Sequence, residues 1–192
     1  MGKKLIFVFV CLSSVLQAQD LAKGERKFLL KATGSLYKAN QLRSNLQHYY
    51  VGGNLEYFFA DKYSFRGDIY TLVGERNNVN FSMRSTTQLT AGFNRHFAVN
   101  GWSPFVGVYT GMTQLHSSPI IQDFVTEKAH PDIQYIPLVG ITAGVQYYFY
   151  KYFHFYAEAR FTHEVSPYAS VSIDEISYTA GLGFHIPMKK VK

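Results

Sequence analysis

The chain has little cysteine, tryptophan or proline, and no long unbroken apolar run. Its only cysteine, Cys11, lies in the first twenty residues, "MGKKLIFVFVCLSSVLQAQD". That stretch reads as a secretory leader. Lys3 and Lys4 form its charged start, and Leu5 to Leu12 an apolar run too short to cross a bilayer as a helix. Ala18 supplies a small residue for cleavage, so residues 1–18 are expected to leave and 19–192 to form one domain. Bulky Val10 before Cys11 argues against lipidation. The remaining chain then has no thiol, which excludes disulfides and cysteine catalysis in an oxidising compartment. After residue 18 there are seventeen basic and thirteen acidic residues, a net +4. This scattered excess is too small to predict nucleic-acid binding. No later stretch reaches eighteen apolar residues, which excludes a helical membrane protein but leaves a membrane β-barrel open. P-loop, dinucleotide-type glycine, GxSxG and HExxH patterns are missing too, and neither a cofactor nor a metal is expected.

Aromatic residues are abundant: fifteen Tyr and sixteen Phe in 192 residues. Eight of the ten residues in "YYFYKYFHFY", Tyr147 to Tyr156, carry such rings. The second strong feature is a period of two. Phe153, Phe155, Ala157, Ala159 and Phe161 alternate with His154, Tyr156, Glu158, Arg160 and Thr162. Likewise Ile176, Tyr178, Ala180, Leu182, Phe184 and Ile186 alternate with Ser177, Thr179, Gly181, Gly183 and His185. Alternation of this length is a strand signal, because successive side chains leave a strand on opposite faces. The pattern predicts eight strands near Lys27–Tyr37, His48–Phe59, Tyr63–Gly74, Ser85–Phe97, Pro104–Gln114, Tyr135–Phe149, Phe153–Glu164 and Ile176–Ile186.

Connections alternate between short and long. Ala60–Lys62, Val99–Ser103 and the Lys151 region are hairpin-sized. Lys38–Gln47, Glu75–Arg84, His116–Ile133 and His163–Asp174 are longer and polar. This is the layout of an up-and-down antiparallel transmembrane barrel, with both termini on the short-turn, periplasmic side. Rings flank each short turn: Tyr57, Phe58, Phe59, Tyr63 and Phe65; Phe93, Phe97, Trp102 and Phe105; and Tyr147, Phe149, Phe153 and Phe155. Phe28 and Phe184 stand near the chain ends. Half-apolar, half-polar rings collect where lipid tails meet headgroups, so these residues are assigned to an aromatic girdle.

A water-soluble barrel has the same period with its apolar face inward; a membrane barrel inverts it. The phase puts Lys31, Glu56, Arg66, Asp68, Glu158 and Arg160 on the polar face, three charges of each sign. A narrow barrel is filled by its own side chains, so these six are expected to form a neutralising lumen network rather than a catalytic set. Arg95 faces out, close enough to the girdle for its charge to snorkel.

With these features the chain resembles the small bacterial outer-membrane barrels of the OmpX and OmpA-domain type and the wider porin-like β-barrel family. "TAGLGFHI" resembles the terminal assembly signal of that family at Thr179, Gly181, Phe184 and Ile186. The trailing "PMKKVK" departs from the pattern. The resemblance implies an outer-membrane location, contact with the lipid bilayer and lipopolysaccharide, and recognition by the barrel-assembly machinery during insertion. The expected role is structural or surface-interacting, not enzymatic, with a passive channel for small or hydrophobic solutes as the alternative. Residues Ile120, Ile121, Phe124 and Val125 in the 116–133 loop are candidates for an extracellular partner surface. A lower-ranked alternative follows from a resemblance to lipid A deacylases. It uses His163 with Glu175 or Asp174 as the acid, but has Val165 where that family has serine, and Ser166 one position on. A three-histidine site at His96, His154 and His185 is ranked below buried, hydrogen-bonded histidines.

Overall fold

The computed structural model describes residues 29–42, 47–76, 83–99, 101–117, 133–149, 152–165 and 172–187. The proposed leader, Phe28, Tyr150, Lys151, Ser166 and most of the 116–133 loop lie outside the described residues. Among the described residues there are eight strands: β1 (Leu29–Gln41), β2 (Gln47–Ala60), β3 (Tyr63–Arg76), β4 (Met83–His96), β5 (Trp102–Ser117), β6 (Ile133–Tyr148), β7 (Phe153–Val165) and β8 (Ser172–Pro187). Each pairs antiparallel with the next, and β8 returns to β1 through pairs such as Thr33–Gly183 and Tyr37–Thr179. A closed barrel results, so no strand edge is left unpaired.

All eight predicted strands are found. At the long-loop end they run further than the alternation of apolar residues reaches. β1 continues to Gln41, β3 to Arg76, β5 to Ser117, and β8 starts at Ser172. Here polar residues occupy both faces, so hydropathy no longer marks the strand, while the backbone ladder continues. Leu42 N donates to Asp174 O at 2.9 Å just past the end of β1.

The described residues of the second short turn match its sequence signal. Val99 and Trp102 exchange backbone hydrogen bonds of 2.9 Å. Gly101 adopts φ 86°, a left-handed conformation that a residue without Cβ takes at least cost.

Burial alternates along the strands with the apolar side chains outside. Leu182 is 64% exposed, Val73 63% and Leu55 61%, whereas Arg66 and Arg160 are 2% and 3% exposed. This inversion is what hydrocarbon outside and a closed polar interior require. Bulky interior groups lie over glycines of neighbouring strands. A Cβ at Gly140 would meet the Tyr109 ring, one at Gly144 the Phe105 ring, and one at Gly183 the His154 imidazole.

A layered polar lumen as the candidate functional site

The lumen is built in layers, beginning at the short-turn end. Lys31 on β1 lies opposite Glu56 on β2. Its ammonium donates to Glu56 Oε2 at 3.1 Å and also to Gln146 Oε1. Gln146 Nε2 and Asn94 Nδ2 donate to the same carboxylate at 2.9 and 3.0 Å, and Ser64 Oγ at 2.6 Å. His96 Nε2 lies 3.0 Å from Glu56 Oε1. One buried anion is thus met by one fixed cation and several dipoles, which offsets the cost of removing it from water.

Rings close this layer. Lys31 Nζ is 4.1 Å from the Phe58 centroid and 5.2 Å from that of Tyr148. Phe58 packs on His96 at 4.6 Å, and His96 on Phe105 at 5.4 Å. The assignment of Phe105 to the girdle is therefore corrected: it is 1% exposed and lies inside. Phe58 is inside as well, and fully buried. Both alternate with outward neighbours, Phe59 in one case and Val106 in the other, so the pleat turns them inward however apolar they are.

The "YYFYKYFHFY" run divides the same way. Tyr147, Phe153 and Phe155 point out, while Tyr148, His154 and Tyr156 point in. Tyr57, Phe59, Tyr63, Phe65, Phe97, Trp102 and Phe184 also lie on the outer wall, and Phe149 is half-buried just past β6. Outer rings touch in pairs across strands: Phe65 with Phe93 at 5.4 Å, Trp102 with Tyr147 at 4.6 Å, and Phe153 with Phe184 at 6.0 Å. Arg95 sits among them, its guanidinium 5.3 Å from the Phe97 ring. Of the proposed assembly signal, Thr179 faces in and Phe184 and Ile186 face out on β8.

The second layer is a four-charge cluster. Arg66 binds Asp68 through its Nε at 2.7 Å and Glu158 through Nη1 at 2.7 Å and Nη2 at 3.0 Å. Arg160 Nη2 donates to Asp68 Oδ2 at 2.7 Å, and its Nε lies 2.8 Å from Glu158 Oε1. Thr90 and Thr142 donate to Asp68 and Glu158 at 3.1 and 2.8 Å. Tyr156 accepts from Arg66 at 2.6 Å, and Arg160 stacks 4.6 Å from the Tyr109 centroid. Two cations face two anions, every carboxylate oxygen is engaged, and the guanidiniums lie against rings.

Above this layer Tyr37 stacks on Tyr70 at 5.0 Å and meets Tyr50 edge-on at 4.9 Å, with Ala39 and Leu72 beside them. At the long-loop end come three groups the sequence reading left out of the lumen: His48, Glu164 and Glu175, each less than a tenth exposed. The strand phase carries the signal for them. Glu164 shares the face of Thr162 and Arg160, and Glu175 that of Ser177 and Thr179.

The three candidate histidines are all inside. His154 and His185 have centroids 5.6 Å apart, and His154 Nε2 is 3.1 Å from Thr33 Oγ1. His96 is held by Glu56, Ser64 and Ser103. Among the described residues no three histidine or acidic side chains converge at metal-ligating distance. His163 faces outward at the long-loop end, 40% exposed, with Nδ1 2.7 Å from Asp174 Oδ1. The strand register places those two opposite each other. Glu175, the other proposed acid, is turned into the lumen, where Tyr37 Oη donates to it at 2.7 Å.

Architecture and inverted faces together define a small eight-stranded antiparallel barrel of the outer-membrane type. No protein-family model matches the chain, and no curated protein sequence is similar to it. Among solved structures it is similar to Neisserial surface protein A (NspA), with a TM-score of 0.59 and 12% identity, covering 84% of this chain and 97% of that one. It is also similar to the outer membrane protein OprG from Pseudomonas aeruginosa, with a TM-score of 0.58 and 12% identity, covering 86% of this chain and 99% of that one. At such identity the likeness is one of fold.

Proposed function

We propose that the chain is an outer-membrane barrel with a sealed lumen, its termini on the periplasmic side, acting structurally or through its outward loops rather than as an enzyme. The observation that carries this reading is the lumen itself. Lys31–Glu56, the Arg66–Asp68–Glu158–Arg160 cluster and the Tyr37–Tyr50–Tyr70 layer succeed one another along the barrel, each filled by side chains. A permanently solvated channel has no need for charges neutralised this closely. The bilayer and lipopolysaccharide surround the outer wall, the barrel-assembly machinery inserts it, and the 116–133 loop offers a surface to an extracellular partner. Planar-bilayer recordings test the seal. The expected result is no discrete conductance, whereas stable unitary currents favour the channel reading.

A second reading rests on the His163–Asp174 pair, an imidazole held by a carboxylate at 2.7 Å on the outer wall. A base oriented this way is half of a lipid hydrolase of the deacylase kind. Release of free 3-hydroxy fatty acid from lipopolysaccharide, abolished in His163→Ala, is the result that supports it.

A further inference from the structure

We propose that the long-loop end of the lumen is a binding site for an organic cation, a guanidinium or protonated amine, held between Glu164 and Glu175 against the tyrosine layer. The two deeper charged layers each carry equal numbers of fixed positive and negative side chains. The uppermost does not. Glu164 is 7% exposed, and the Thr113 hydroxyl donates to it at 2.6 Å. Glu175 is 5% exposed and is bound by the Tyr37 hydroxyl at 2.7 Å. Among the described residues neither pairs with lysine or arginine. Two inward carboxylates on adjacent strands, offset by two positions in the β7–β8 register, are about 7–8 Å apart at Cα.

A second observation points to the same kind of ligand. His48 is 3% exposed, and its Nδ1 has no hydrogen-bond partner among the described residues although it faces Glu175 Oε2 at 3.8 Å. Its Nε2 is 3.9 Å from Glu75 Oε1. The ring lies between two acids, beyond hydrogen-bonding distance of both. Anionic groups held this far from water call for a positive partner.

The chemistry of that partner follows from the spacing and the walls. No preformed set of three metal ligands exists among the described residues, which disfavours a metal ion bound at short, fixed distances. A planar cation donates several hydrogen bonds over a wider gap and stacks on rings such as Tyr50. This site is independent of the proposed cellular role, because the folded barrel in detergent contains it.

The test is calorimetric titration of the full folded chain, in a zwitterionic detergent at about pH 8, where free carboxylates are ionised. The probes are butylguanidinium, its neutral isostere butylurea, and zinc chloride. Butylguanidinium is expected to bind and butylurea not. Glu164→Gln and Glu175→Gln are each expected to weaken binding by roughly tenfold or more, and Arg95→Gln, on the outer wall, to leave it unchanged. Absence of butylguanidinium binding up to about 10 mM, equal binding in the Glu164→Gln/Glu175→Gln double variant, or saturable zinc binding lost in His48→Ala without any guanidinium binding overturns the proposal. If the glutamine variants do not reach the folded gel band, glutamate side-chain carboxyl resonances of the unsubstituted protein give the answer. Two should move with butylguanidinium and stay with butylurea; none moving overturns it.

Discussion

Glu158→Gln removes one negative charge from the middle of the lumen without changing side-chain size. In the native barrel Glu158 accepts from Arg66 at 2.7 and 3.0 Å and from Thr142 at 2.8 Å, and pairs with Arg160 at 2.8 Å. After the substitution, Arg66 and Arg160 share only Asp68. One buried positive charge is left uncompensated, with Arg66 and Arg160 2% and 3% exposed. Breaking one partner out of a buried ion pair costs about 3–5 kcal/mol, against about 0–1 kcal/mol for a pair in water. Reversible urea unfolding in phospholipid vesicles, followed by the heat-dependent gel shift, reads the difference. The expected loss is about 3–5 kcal/mol, with Glu158→Gln/Arg160→Gln costing clearly less than the sum of its two single changes, because neutralising both sides restores the balance. A Glu158→Gln cost under about 1 kcal/mol would refute the reasoning, because it would mean that water already screens the cluster.

Other consequences are smaller or simpler. Ile69→Arg, on the outer wall of β3 well above the Tyr63 ring, is expected to cost about 2–4 kcal/mol in vesicles by the same unfolding assay. Phe58→Ala empties part of the closing aromatic layer around Lys31 and is expected to cost about 3–5 kcal/mol, with any new bilayer conductance reporting the opening. Gly140→Ala drives a methyl into the Tyr109 ring and is expected to cost about 1–3 kcal/mol. Gly34→Ala, which meets nothing within 4 Å, is expected to leave the unfolding midpoint unchanged.

The strands were legible because the two faces of a membrane barrel differ in chemistry, so Phe153–Phe161 and Ile176–Ile186 show the pleat directly. The same reasoning located all six lumen charges on one face. It failed where both faces carry rings. Around the short turns, Phe58 and Phe105 look as apolar as Phe59 and Trp102, and hydropathy cannot separate a girdle ring from one that fills the lumen. Strand parity could: Phe105 shares its face with Ser103 and Tyr109. The upper lumen was missed for the opposite reason. Beyond the hydrocarbon the outer face is polar too, so Glu164 stood at the last predicted position of its strand and Glu175 just outside the next. Charge balance, read from six residues, then looked complete.

The central claim is that hydrocarbon meets the apolar face and neither lipid nor water reaches the other. Adjacent residues Ile69 and Tyr70 test it most directly, since one is 54% exposed and the other fully buried. In a Trp102→Phe background, single tryptophans at these two positions report their surroundings in vesicles. Ile69→Trp should be quenched by lipids brominated on their acyl chains, and Tyr70→Trp should be shielded from both those lipids and aqueous acrylamide. Acrylamide quenching at Ile69→Trp, or free access of acrylamide to Tyr70→Trp, would contradict the account.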